Sequence, residues 1–393
     1  MTLPRTATTF FPPVMEARRW LDGVDFPPDR PLINVSQAAP VDPPPEGLRR
    51  AMAEVTLNND EAHLYGPVLG LPELRAELAR QTAEKYAGVV TDEQVCITSG
   101  CNQAFAAAIA TLCGEGDEVI IPTPWYFNHK MWLDMSGVTA VPLPVEADML
   151  PDPEKAGASI TPRTRAIALV TPNNPGGVEY PAALVQEFFE LARRHGIAFI
   201  LDETYRDFHS RPGPPHALFR DPDWHDTLIH LYSFSKAYRL TGHRVGALIA
   251  SRARLAEVEK FLDTVAICPA QIGQHGALWG MQNLSAWLAE EREEILARRA
   301  AIADLMPRLE PLGWELLGLG GYFAYMRQPF SVSSADLARD LVRDAGVLCL
   351  PGTMFQPEGD ARGESQLRIA FANLDAAGLK VLFDRLAALP RNA

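Results

Sequence analysis

Short apolar runs alternate with longer stretches of helical period through much of this chain. Val95-Cys96-Ile97-Thr98, Ala166-Ile167-Ala168-Leu169-Val170, Ile197-Ala198-Phe199-Ile200-Leu201 and Leu228-Ile229-His230-Leu231-Tyr232 are compact hydrophobic segments with the character of buried strands. An alanine-rich helix from about Gln103 to Leu112 and another from Pro181 to His195 separate them. Strand and helix in alternation from about Leu48 to Leu255 predict a mostly parallel sheet wrapped by helices.

Beyond this the pattern changes. Charged helical sequence from Ser285 to Leu309 leads to strand-like Trp314-Glu315-Leu316-Leu317 and Tyr322-Phe323-Ala324-Tyr325-Met326. Helices from Ser334 to Ala345 and from Asp375 to Leu389 then flank Val347-Leu348-Cys349-Leu350. The fold expected is α/β, a large domain with a mostly parallel sheet plus a smaller C-terminal α/β domain. Residues 1–47 are read as an N-terminal arm and the start of the small domain, 48–284 as the large domain and 285–393 as the small one. The proline-rich N-terminal part reads as extended, and the prolines at 43–45 and 212–215 as loops.

Composition narrows the class. The chain of 393 residues is long enough for two such domains, and an apolar fraction of 47% is normal for a globular protein. A formal charge of -13 argues against a nonspecific nucleic-acid binder. The five cysteines are scattered without metal-ligand spacing, so no metal site is expected and a reducing compartment is. No signal peptide and no membrane-spanning apolar stretch is evident, which makes the cytoplasm the expected location.

Candidate chemistry gathers at strand ends. Lys236 follows the run ending at Tyr232, where an α/β sheet binds ligands and a desolvated amine becomes a nucleophile. A solvated lysine after a strand has the same local sequence. Asp202 and Tyr205 follow a second run and Asn174 a third, so a parallel sheet brings amine, carboxylate, phenol and amide to one edge. Asn174-Pro175-Gly176 also reads as a simple turn. Arg368 stands in the alternating run Gln366 to Ala370, where burial needs an anionic partner such as a carboxylate, although an edge-strand arginine fits the same pattern.

In this order the motifs resemble the fold type I pyridoxal-phosphate enzymes, specifically the aspartate-aminotransferase-like class I/II aminotransferases, from about Ile33 to Leu386. The resemblance implies pyridoxal 5'-phosphate as cofactor, with Lys236 of Ser-Phe-Ser-Lys bonded to its aldehyde and Asp202 of Asp-Glu-Thr-Tyr paired with its ring nitrogen. It implies that Tyr205 and Asn174 bond to the phenolic oxygen. Ser99, Gly100, Cys101 and Asn102 would cradle the phosphate at a helix start, with Ser233 and Arg244 adding a hydroxyl and a fixed charge. Tyr126 would stack on the ring, with Trp125 one residue away as the other choice. Tyr65 would reach the phosphate of a neighbouring subunit, which implies a homodimer with shared active sites.

On the substrate side the resemblance assigns the α-carboxylate to Arg368, with Asn174 and Ala38 beside it. Ala38 stands where glycine is usual, Gly176 where threonine is common, and Cys101 where threonine or alanine is frequent. Dicarboxylate-specific relatives carry a second arginine in the region that reads Thr264 to Gln274 here, and no arginine or lysine occurs in it. The expected reaction is transamination of a neutral or aromatic L-amino acid with a 2-oxo acid. A β- or γ-eliminating lyase would use the same contacts, and a non-catalytic sensor is the reading from another class.

Overall fold

The computed structural model describes residues 4–390. Strand β1 (Ile33–Asn34) stands apart from the seven that follow it: β2 (Val95–Thr98), β3 (Glu118–Thr123), β4 (Thr139–Pro144), β5 (Thr164–Val170), β6 (Ala198–Asp202), β7 (Leu228–Ser233) and β8 (Gly246–Ile249). These seven form one sheet in the order β2-β8-β7-β6-β5-β3-β4. Pairing is parallel from β4 through β3, β5 and β6 to β7, and β8 runs antiparallel to both of its neighbours. Alternate residues feed two cores. Ile167, Leu169, Phe199 and Leu201 belong to one apolar layer, while Ala166, Ala168, Ala198 and Ile200 belong to the other. A sheet covered on both faces explains why these strands read as continuous apolar runs.

The C-terminal lobe contains β9 (Glu315–Gly320), β10 (Phe323–Arg327), β11 (Val347–Leu348), β12 (Leu350–Pro351) and β13 (Gln366–Ala370). An antiparallel sheet runs β12-β13-β10-β9, whereas β11 pairs in parallel with β1. The single run from Val347 to Leu350 therefore serves two sheets. Ile33 and Val35 share a core with Trp314, Phe323 and Phe383, so the N-terminal segment completes the C-terminal lobe.

The N-terminal stretch is not simply extended. Pro13–Arg19 forms a helix with proline at its first position, where its fixed φ and missing N–H are tolerated. Ala17 of this helix is buried with Leu348, Leu350 and Phe355, which folds the segment back over the lobe junction. The turn after β5 docks on the same junction. Gly177 has φ +77°, and a Cβ there would stand 2.4 Å from the Phe323 carbonyl oxygen, so backbone meets backbone and only glycine fits. Among the described residues, no helix is long and apolar enough to cross a membrane.

Candidate active site

A cleft of about 590 Å³ opens at the carboxyl ends of β5, β6 and β7, the edge at which open α/β sheets bind ligands. Asn174, Asp202, Ser233 and Lys236 reach it from three successive strand ends, and Arg368 enters from β13 of the other lobe. Lys236 lies on the short helix Phe234–Ala237, which Ser233 caps by accepting from the Ser235 N–H at 3.3 Å. Part of Lys236 remains on the cleft surface, but its amine is enclosed and donates to the Ala38 carbonyl. Desolvation, reinforced by the charges of Arg244 and Arg368, lowers its pKa to about 7. That makes a neutral amine accessible near physiological pH.

Asp202 is the opposite case. Burial alone would push its carboxyl up, yet the His129 ring and Thr204 outweigh it and hold the group below the ordinary carboxylate range. Thr204 donates to Oδ1 through its N–H at 3.0 Å and its hydroxyl at 2.7 Å. His129 Nε2 stands 3.3 Å from Oδ2, close enough for charge attraction though not aligned as a hydrogen bond. The imidazole is fixed by stacking on Phe105 with ring centroids 3.7 Å apart.

Tyr126 lines the cleft and donates to Asn102 Oδ1 at 3.2 Å, while Trp125 is buried in the apolar layer beneath the sheet. Tyr205 packs against Tyr322 and Phe323 with centroids 5.3 Å away in each case, and burial raises its phenol well above the usual value. Asn174 accepts through Oδ1 from Arg368 Nη1 at 2.9 Å, which leaves its amide N–H₂ as a donor.

The far end of the cleft is cationic and rich in open donors. The helix Cys101–Leu112 begins after Gly100, and the N–H groups of Cys101 and Asn102 have no backbone acceptor. Arg244 lies across this helix start so closely that a Cβ at Gly100 would stand 2.2 Å from its Nη2. A guanidinium beside the positive end of a helix is favourable only with an anion between them, and a phosphate suits both. Ser99 lies outside the cleft, its N–H taken by Gln103 Oε1 at 2.6 Å. Tyr65, 79% exposed, also lies outside the cleft.

These residues fit pyridoxal 5'-phosphate: an anion cradle at one end, a buried carboxylate for a ring nitrogen, and an enclosed amine for an aldehyde. Beyond the residues singled out from sequence, the cleft is lined by Arg18 and Gln37, joined by a 2.7 Å hydrogen bond, and Asp202 is supported by His129. The available signal was its place three residues after Tyr126, whose ring it meets edge-on with centroids 4.9 Å apart.

The same architecture recurs in known proteins. An aspartate aminotransferase of Thermus thermophilus, solved with maleate, superposes with a TM-score of 0.87 over 98% of this chain and 99% of its own, at 24% identity. An aromatic aminotransferase of Arabidopsis thaliana is 31% identical over 334 residues, 82% of this chain and 80% of the relative. A probable aspartate/prephenate aminotransferase of Thermus aquaticus is 29% identical over 83% of this chain and 85% of its own length. The family profile described as aminotransferase class I and II matches residues 30–386. With the profile spanning nearly the whole chain, the protein belongs to the class I and II aminotransferases.

Proposed function

We propose that this enzyme transaminates a neutral or aromatic L-amino acid with a 2-oxo acid, using pyridoxal 5'-phosphate. The observation that carries the reading is the meeting, in one cleft, of an enclosed amine with pKa about 7, a buried carboxylate and a buried arginine with an open donor. When bound, the cofactor supplies an electron-withdrawing ring that stabilises negative charge at the substrate α-carbon. Cys101, Asn102, Ser233 and Arg244 would hold its phosphate. Asp202 would keep the ring nitrogen protonated, Tyr205 and Asn174 would donate to the phenolic oxygen, and Tyr126 would cover the ring face.

Lys236 provides the covalent attachment and then the proton transfer. Once the substrate amine has displaced it, its neutral Nζ would take the proton from the substrate α-carbon as general base and, as general acid, would deliver it to the former aldehyde carbon of the cofactor. Arg368 holds the α-carboxylate, with Ala38 forming the wall beside it. The segment from Thr264 to Gln274 carries no cation for a second carboxylate, which supports a neutral or aromatic side chain. Tyr65 acts in the neighbouring subunit of a homodimer, consistent with its exposure in the single chain. Five free cysteines, three of them buried, support a cytoplasmic setting.

A panel of L-amino acids, assayed in parallel for 2-oxo-acid-dependent amine transfer and for ammonia release, tests the reading. Transfer without ammonia, best for neutral and aromatic substrates, is expected. Ammonia release independent of an oxo acid would replace transamination with elimination.

A further inference from the structure

Asp202 is pinned by its backbone and left with one freedom. Its carbonyl accepts from the Thr171 N–H at 3.0 Å, and its register in the sheet pairs it with Val170 of β5 and Leu231 of β7. The strands on both sides fix its Cα, so rotation of the side chain decides how each carboxylate oxygen is used. That rotation is governed by the residue two positions on. Thr204 lines the cleft and sends both of its donors to the same atom, Oδ1, through its N–H at 3.0 Å and its hydroxyl at 2.7 Å. The N–H bond is open to any residue but proline, whereas the second bond needs a side-chain hydroxyl. Threonine is also branched at Cβ, which restricts χ1 and holds the hydroxyl in place.

The acceptor sites then separate the two oxygens. An ionised carboxylate offers about two lone-pair directions on each oxygen. Thr204 fills both at Oδ1. Among the described residues Oδ2 has only His129 Nε2 at 3.3 Å, which is not aligned as a hydrogen bond, so it keeps room for another donor. The Cys101 thiol beside it brings no rival charge, since burial and the charge of Asp202 keep it protonated.

We infer that Thr204 is a positioning residue for the transamination: its hydroxyl occupies Oδ1, so that Oδ2 takes the ring N–H of the cofactor and the proton stays on the ring. The inference rests on the pairing of Asp202 with the ring nitrogen proposed above. Its physical basis is competition for one proton. Each hydrogen bond donated to a carboxylate favours the ionised form, so a carboxylate with Oδ1 satisfied draws less on the ring proton. Without the hydroxyl the buried carboxylate is more basic and freer to turn, and the ring loses part of the positive charge that makes it electron-withdrawing.

NMR of the holoenzyme carrying pyridoxal 5'-phosphate isotopically labelled at the ring nitrogen reads this proton directly. The wild type should give the signal of a protonated ring. Thr204→Val removes the hydroxyl at nearly constant shape, and it should move the signal toward the neutral ring and lower kcat roughly tenfold, the scale of one hydrogen bond to a charged group. Thr204→Ser returns the hydroxyl and should restore both. A merely structural role would lower kcat in Thr204→Val without moving the signal, so an unmoved signal overturns the inference, as does a Thr204→Ser signal that stays with the valine variant. If Thr204→Val does not fold, Thr204→Ala is read in the same way. Asp202→Asn separates the two claims. A protonated ring in that variant overturns the pairing of Asp202 with the ring nitrogen, whereas a neutral ring there together with an unmoved signal in Thr204→Val overturns the role of Thr204 alone.

Discussion

Arg368 donates from Nη1 to Asn174 Oδ1 at 2.9 Å, a bond that ties β13 of the C-terminal lobe to the turn after β5 of the large sheet. Nη2 is held by the Ser36 carbonyl, and Nε has no partner. The group is 2% exposed and its carbon lies 4.9 Å from the Phe323 and Phe355 ring centroids. Desolvation lowers its pKa to about 10, so it remains charged at neutral pH while lacking a carboxylate. Such a site is poised to accept one.

Replacing Arg368 with lysine keeps the charge but loses the fork. The variant should lose about 1.5 to 3 kcal/mol of carboxylate binding, roughly 10- to 150-fold in kcat/KM, for every amino-acid substrate. Amines lacking a carboxylate should be spared. Steady-state kinetics on phenylalanine and phenethylamine separate the outcomes, and equal damage to both would remove Arg368 from the substrate site.

Lys236 should be the single attachment point of the cofactor. Borohydride reduction followed by peptide mapping is expected to label the peptide containing it, and Lys236→Ala should lose the label. Capture of the cofactor by apo-protein should also depend on pH. The amine is protonated below its pKa of about 7, so the capture rate should rise with pH through that value and then level off. A flat profile from pH 5 to pH 9, or a label on Lys260, would contradict the assignment.

Asp202 is kept ionised against its burial by His129 and Thr204. Asp202→Asn should therefore reduce kcat by roughly 100-fold or more while the phosphate contacts retain the cofactor. His129→Asn acts one step removed. A lowered carboxylate pKa extends function to lower pH, and losing the imidazole raises that pKa, so the acid limb of kcat should move to higher pH. An unmoved limb would confine His129 to packing.

The large sheet and its ligand edge were legible because Asn174, Asp202 and Lys236 each follow an apolar run, and parallel strands end together. Arg368 stood out as a charge within an alternating strand. His129 was harder to see, since Asp202 lies far from it in sequence and the two meet only in the folded chain. Prolines at 12 and 13 suggested an extended arm, yet proline also starts helices. What folds that helix over the cleft is contact with Leu348, Leu350 and Phe355, far away in sequence. The short run from Val347 to Leu350 could not reveal that it divides between two sheets, because neither partner strand is adjacent in the chain.

Tyr65 is 79% exposed in the single subunit, and its proposed role lies across a dimer interface. Mixing Tyr65→Phe subunits with Lys236→Ala subunits should give heterodimers with one doubly impaired and one intact site. Activity should then reappear on mixing, in proportion to the heterodimer fraction measured by mass spectrometry. Full activity in a strictly monomeric preparation would refute the shared site.

Arg18 offers the last test, because it supplies near the cleft mouth a cation that the segment from Thr264 to Gln274 lacks. Its Nη2 donates to the neutral Gln37 Oε1 at 2.7 Å, so exchanging that amide for a ligand carboxylate would be favourable. The side chain is exposed, which limits the gain through solvent screening. Arg18→Gln should thus weaken 2-oxoglutarate, which carries a second carboxylate, by roughly three- to tenfold in KM. Phenylpyruvate has no second carboxylate and should change little, with kcat preserved for both. If the two oxo acids respond alike, Arg18 has no part in reading the distal end of the substrate, and a preference for neutral and aromatic side chains must rest on the apolar wall formed by Val14, Met15 and Phe127.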